Sequence, residues 1–179
     1  SPFEDSATPA PRVQRNYVTD SLLRLHTITD SSNSYVLYLP PAYDTLKKWP
    51  LVIFLDPHAS GSFPVQQYRK IAAAYGYVIA GSNRSENGMA PAVSTALVND
   101  LLADLGKRIS LDNRRIVLCG FSGGARVAGY TALQRNDLAA VISCSAGIAA
   151  ETAPGFLCIS TAGIKDMNYN EVEGQHRRL

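Results

Sequence analysis

The pentapeptide Gly120-Phe121-Ser122-Gly123-Gly124 is the stretch of this 179-residue chain whose residue types and spacing suit chemistry. It stands between the apolar run Arg115-Ile116-Val117-Leu118-Cys119 and the small-residue run Ala125-Arg126-Val127-Ala128-Gly129-Tyr130. A β-branched run, a Gly-x-Ser-x-Gly turn and a helical pattern describe a strand, a sharp turn and a helix, with the serine lifted out as a nucleophile. Gly120 and Gly124 leave room for strand and helix backbones to approach. The helix aims its free N–H groups and positive dipole end at the place where an oxyanion would develop during acyl transfer. The Gly123 N–H is the natural first donor. Standing alone, the pentapeptide also reads as a tight glycine turn; the flanking strand and helix favour the nucleophile.

A serine hydroxyl needs a base, usually histidine, oriented by a carboxylate. Asp166 suits the carboxylate, because the short Thr161-Ala162-Gly163-Ile164-Lys165 turn joins it to the apolar run Phe156 to Ser160 and places it on the Ser122 side of the sheet. It also suits an N-cap for the segment starting Met167-Asn168-Tyr169. Three histidines are present. His26 reads as a strand residue. His58 falls in the loop after Leu51 to Leu55, where a second oxyanion N–H belongs, but as a base it would precede the serine against the usual order. His176 follows Asp166 by ten positions. An average helix plus strand takes about 17 residues. Either His176 reaches Ser122 by a short path or the base lies beyond Leu179.

The elements that must hold these residues follow from pattern. Leu22 to Thr29 and Ser34 to Leu39, divided by Asp30-Ser31-Ser32-Asn33, predict an antiparallel hairpin. Leu51 to Leu55 is apolar throughout, as in a parallel strand buried on both faces. Val65, Tyr68, Ala72 and Tyr75 share one helical face that Gly76 closes, and Tyr77 to Ala80 is the next strand. From Pro91, apolar residues at Val93, Leu97, Leu101, Leu105 and Ile109 predict a long amphipathic helix, with Asp100, Asp104 and Lys107 on its other faces. Ala140 to Cys144 and Phe156 to Ser160 are two more strands. Alternating strands and helices predict a parallel sheet with helices on both faces and ligands beyond the strands' carboxyl ends.

Composition narrows the class. The length and 46% hydrophobic content fit one domain. A formal charge of +2, with no basic run interleaved with aromatics, gives no reason to expect nucleic acid. Cys119, Cys144 and Cys158 sit in separate apolar runs without metal-type spacing and predict buried free thiols. The glycine pattern lacks the phosphate-binding lysine and Gly-x-Gly-x-x-Gly spacing, so no metal, nucleotide or flavin cofactor is expected. No apolar stretch reaches the ~18 residues of a membrane span. Residues 1–16 form a Pro/Ser/Ala-rich polar lead, expected to be disordered and to be either the spacer left by an export signal or only the edge of the sequence; a periplasmic or extracellular location is expected, with a cytoplasmic one as the alternative. Arg84 and Arg126 read as solvated charges that could also meet an anionic substrate group.

The runs Tyr35 to Asp44, Trp49 to His58 and Gly120 to Ala125 resemble the α/β-hydrolase superfamily, in particular its secreted polyhydroxybutyrate-depolymerase-like, feruloyl-esterase-like and dienelactone-hydrolase-like branches. The resemblance spans roughly Tyr35 to Asn170. It implies a three-layer α/β/α sandwich with a mostly parallel sheet, a single domain over residues 17–179 lacking the last strand and helix. It also implies a serine hydrolase acting on a small-molecule or polysaccharide-linked carboxylic ester. Ser122, Asp166 and His176 would be its catalytic residues, and the N–H groups of Gly123 and His58 its oxyanion hole, with Ala59 as second choice for the latter. Where the family has a His-Gly pair, this chain has Asp56-Pro57. That departure and the unplaced base keep a second expectation open: a hydrolase-like domain that binds a ligand without turnover.

Overall fold

Apolar at every position, Leu51 to Leu55 has no face that water could wet, and it lies near the middle of a seven-stranded sheet. A computed structural model describes residues 16–149 and 154–178. In chain order the elements are β1 (Leu22–His26), β2 (Ser34–Tyr38), β3 (Trp49–Leu55), α1 (Ser62–Tyr75), β4 (Val78–Ser82) and α2 (Pro91–Arg108). They continue with β5 (Leu111–Phe121), α3 (Gly123–Leu133), β6 (Ala140–Cys144), β7 (Leu157–Thr161) and α4 (Tyr169–Arg178). The expected N-terminal lead falls, except for Asn16, outside the described residues.

The sheet order is β1-β2-β4-β3-β5-β6-β7. β1 and β2 form the expected antiparallel hairpin, β2 runs antiparallel to β4, and the remaining neighbours are parallel. Parallel neighbours need crossovers, and helices supply them. One face packs Leu51, Ile53, Leu118 and Val141 against Val98, Leu101 and Leu105 of α2 and Ala128 and Ala132 of α3. The opposite face packs Val36, Phe54 and Ile79 against Val65 and Ala72 of α1. The architecture is therefore a three-layer α/β/α sandwich with a mostly parallel sheet. No helix among the described residues is long and apolar enough to cross a membrane.

Three expectations need correction. Of the α1 stripe, Val65 and Ala72 are buried, but Tyr68 and Tyr75 are exposed, Tyr75 at 77%. Tyr68 instead stacks on Phe54 with ring centroids 5.3 Å apart. Helices lie on both faces, as expected, and leave part of the α1 side open. On the α1 side, Val117, Cys119, Ile142, Cys144, Leu157 and Ile159 line an open apolar groove of about 550 Å³. The cysteines are free as expected, yet only half-buried, because two of the three face that groove.

Asp104 is the third correction. It sits on α2 one position before Leu105, on the edge of the stripe that meets the hairpin, and its side chain is 1% exposed. Arg108 Nε donates to it at 2.7 Å, Tyr35 Oη at 2.6 Å and the Ile28 N–H at 3.0 Å. Arg108 in turn donates to Tyr17 Oη at 3.0 Å and His26 O at 2.9 Å. One turn earlier, Asp100 accepts from the Thr27 and Thr29 hydroxyls and the Asn33 carboxamide. A buried carboxylate is tolerable only when paired and fully hydrogen-bonded. Here the pairing locks the antiparallel hairpin onto α2.

Asp104→Ala leaves Arg108 buried without its counter-ion, and a loss of about 3–5 kcal/mol is expected. It should be read as a lower urea midpoint with an unchanged slope. Replacing both residues by apolar ones of similar volume should cost less than the single change.

Candidate active site

β5 ends in Cys119-Gly120-Phe121, and at Ser122 the backbone turns to φ +50°, ψ −117° before α3 begins at Gly123. A side chain at positive φ is strained by about 1–3 kcal/mol and persists only where its surroundings over-determine it. They do here. The Ser122 N–H donates to Cys144 O at 2.8 Å, and Ser122 O accepts from the N–H groups of Ala125 at 3.0 Å and Arg126 at 3.3 Å. A Cβ on Gly120 would stand 2.2 Å from Gly124 O, and one on Gly124 would stand 1.9 Å from Leu55 O. Strand β5, helix α3 and the end of β3 thus meet backbone to backbone. The Ser122 side chain is partly exposed, and its hydroxyl has no hydrogen-bond partner among the described residues. Gly123, the first helical residue, has no intrahelical acceptor for its N–H.

Asp166 lies on the same edge of the sheet. The strand ends step across it: the Ser122 N–H reaches Cys144 O, the Ser145 N–H reaches Thr161 O at 2.7 Å, and the Ser145 hydroxyl lies beside the Asp166 carboxylate. Asp166 Oδ1 also accepts from the Asn168 N–H at 2.8 Å, so the residue caps its own turn as the sequence suggests. These contacts, the Ser145 hydroxyl foremost and the Asn168 N–H next, hold the carboxyl below the usual carboxylate range. Ser145 sits at φ +60° between Ser122 and Asp166, a strained position that the sequence pattern did not flag.

The histidines are placed apart from this pair. His26 ends β1, four strands away from β5, and its Nδ1 contacts Ser31 O at 2.6 Å. His58 is exposed in the loop after β3, bridged through its backbone to Glu86. Its N–H, expected at an oxyanion, donates instead to Asp56 Oδ1 at 2.8 Å, because Asp56 closes its own loop as an Asx turn. The Ala59 N–H is likewise turned to Asp56 O at 3.2 Å. α4 starts at that same edge, where the Tyr169 N–H bonds Asp166 O, but runs back along β7 until Gln175 Nε2 reaches Cys158 Sγ at 3.6 Å. His176 is exposed beyond that contact, and it lines a cleft with Cys158, Ser160 and Ala162. The structure brings Ser122, Gly123 and Asp166 to one edge, and it does not bring His176 there.

Beside Gly123 opens a cavity of about 290 Å³ lined by Asn87, Met89, Val127, Tyr130 and Ala149 among others. Arg126 borders it, but its guanidinium is engaged by Glu171 in two bonds of 2.6 and 2.7 Å, which lower the Glu171 carboxyl. Arg126 is thus solvent-exposed, as expected, and paired at the same time.

No family model matches the sequence, and no curated protein is found similar to it. Solved structures do resemble it. The feruloyl esterase module from Clostridium thermocellum complexed with sinapinate superposes with a TM-score of 0.67 at 12% identity, over 94% of this chain and 79% of that one. A protein from Klebsiella pneumoniae assigned as a dienelactone hydrolase gives 0.70 at 14% identity, over 89% and 81%. The acetyl xylan esterase from Aspergillus awamori gives 0.56 at 15% identity, over 68% of this chain and 50% of that one.

Gly124→Ala forces a Cβ onto Leu55 O and should separate β3 from α3. A drop in stability of about 1–3 kcal/mol or more, or failure to fold, is expected in chemical denaturation. A same-sized change at Gly155, where a Cβ meets nothing within 4 Å, serves as the control.

Proposed function

Given the α/β-hydrolase fold of this chain, we propose that the protein is a serine hydrolase that cleaves a carboxylic ester through an acyl-enzyme on Ser122. The observation that carries this reading is the backbone of Ser122 at φ +50° on the crest of a central strand, next to an N–H that no helical carbonyl accepts. In this reading Ser122 Oγ attacks the acyl carbonyl, and the Gly123 N–H receives the negative charge that develops on oxygen. The serine proton passes to an imidazole that Asp166 orients. Collapse of the tetrahedral intermediate returns that proton to the leaving alcohol, and water then frees the acid by the same route. Small-molecule or polysaccharide-linked esters are the proposed substrates, and export to the periplasm or beyond the cell is the proposed location.

One observation favours a second reading. Among the described residues, no imidazole is hydrogen-bonded to Ser122 or Asp166. A hydrolase-like domain that holds a ligand at this edge without turning it over would look the same. The two readings separate on activity, since a serine without its base retains only the residual catalysis of the oxyanion hole and of binding.

Incubation with a fluorophosphonate probe should label Ser122, and Ser122→Ala should abolish both labelling and hydrolysis of p-nitrophenyl acetate. Absence of labelling in the product of the intact gene decides for the binding reading. Because its hydrogen bonds depress the Asp166 carboxyl, that group stays charged as pH falls until below the ordinary value of about 4. The acid limb of the activity profile is therefore expected near the imidazole value of about 6.5. Asp166→Asn should lower kcat by up to about 10⁴-fold.

A further inference from the structure

Resting on the acyl-transfer reading, we propose that the side-chain amide of Asn87 is the second donor of the oxyanion hole, taking the place of a backbone N–H from the loop after β3. The two donors expected of that loop are already engaged. The His58 N–H is spent on Asp56 Oδ1 at 2.8 Å, the Ala59 N–H on Asp56 O at 3.2 Å, and the Ser60 N–H on Asp56 Oδ1 at 3.4 Å. The Asp56-Pro57 pair is what closes it: the carboxylate gathers two of these groups, and proline brings no N–H of its own.

Asn87 lies against the residue that carries the first donor. A Cβ built on Gly123 would lie 1.6 Å from Asn87 Oδ1, 2.7 Å from its Cγ and 3.3 Å from its Nδ2. The carboxamide therefore rests on the Cα of the residue whose N–H is the first donor. Oδ1 is the nearer end of the carboxamide, and rotation about χ2 exchanges the two ends and turns Nδ2 toward an oxygen held by that N–H. The segment is anchored as well. The Asn87 N–H donates to Pro57 O at 2.9 Å, and Glu86 pairs with His58 through a backbone bridge. The carboxamide itself has no hydrogen-bond partner among the described residues, so its donor is available. It also lines the cavity beside Gly123, through which an acyl group would approach.

In the step served, a bond forms between Ser122 Oγ and the carbonyl carbon while the π pair of the carbonyl moves onto its oxygen. The serine proton goes to the imidazole base. The new negative charge then lies between the Gly123 N–H and Asn87 Nδ2. This placement accounts for glycine at position 123: any side chain there would push the amide away.

The test compares Asn87→Ala, the near-isosteric Asn87→Asp, Ser122→Ala and the unaltered protein in p-nitrophenyl acetate hydrolysis, with inhibition by an alkyl boronic acid as a mimic of the tetrahedral state. Both Asn87 variants are expected to lose about 10²–10³-fold in kcat with KM little changed. Boronate affinity should weaken alongside, and the thermal midpoint should stay in place. An active protein whose kcat Asn87→Asp leaves intact, or whose Asn87 variants change only KM, overturns this proposal alone. A protein that hydrolyses no faster than Ser122→Ala overturns the acyl-transfer reading and this proposal with it.

Discussion

Three backbones converge where β5 turns into α3, and the rest of the molecule is arranged so that they can. Gly120 faces Gly124, and Gly124 faces the last carbonyl of β3, at separations that would not admit a single methyl group. Contact this close fixes the start of α3 relative to the sheet with no side chain between them. The strain at Ser122 is sustained because its N–H and carbonyl are both bonded, one to β6 and the other to α3. Rigid sheet neighbours on both sides of β5 then keep the serine raised at the edge.

The loops at that edge are held by their own polar groups rather than by packing. Asp56 ties the loop after β3 into a turn, and the loop after β4 leans across it through the Asn87 N–H and the Glu86–His58 bridge. On the other flank, Asp166, Asn168 and Ser145 bind one another, and Glu171 holds both Arg126 and the Gly147 N–H. Each of these carboxylates accepts N–H groups that would otherwise point at solvent or at a ligand. Their effect is to determine which donors remain open, the Gly123 N–H among them.

Away from the site, the two faces of the sheet differ. The face under α2 and α3 is closed and carries the buried Asp104–Arg108 pair that fastens the hairpin. The α1 face is closed only as far as β3. Beyond it Leu157 is 62% exposed, and the thiols of Cys119 and Cys144 border the groove. The neighbouring Cys144 thiol and burial push Cys119 up, and the Cys119 thiol beside it holds Cys144 down.

The order of strands and helices, the antiparallel hairpin, the elbow at Ser122 and the cap at Asp166 were all legible in the chain, because each rests on local causes: periodicity, glycine spacing, β-branched runs and a short turn. What could not be read there depends on groups far apart in sequence. Asp104 looks like a solvated helix residue until Tyr35 and Arg108 close around it. His58 looks like an oxyanion donor until Asp56 takes its N–H, and His176 looks close to Asp166 until α4 carries it back along β7. Asn87 had no motif to mark it, since its contact with Gly123 exists only once β4, β3 and β5 lie side by side. Local sequence determines which elements form and where a turn is strained; the direction in which a polar group points is decided by competition among partners that only the assembled sheet brings within reach.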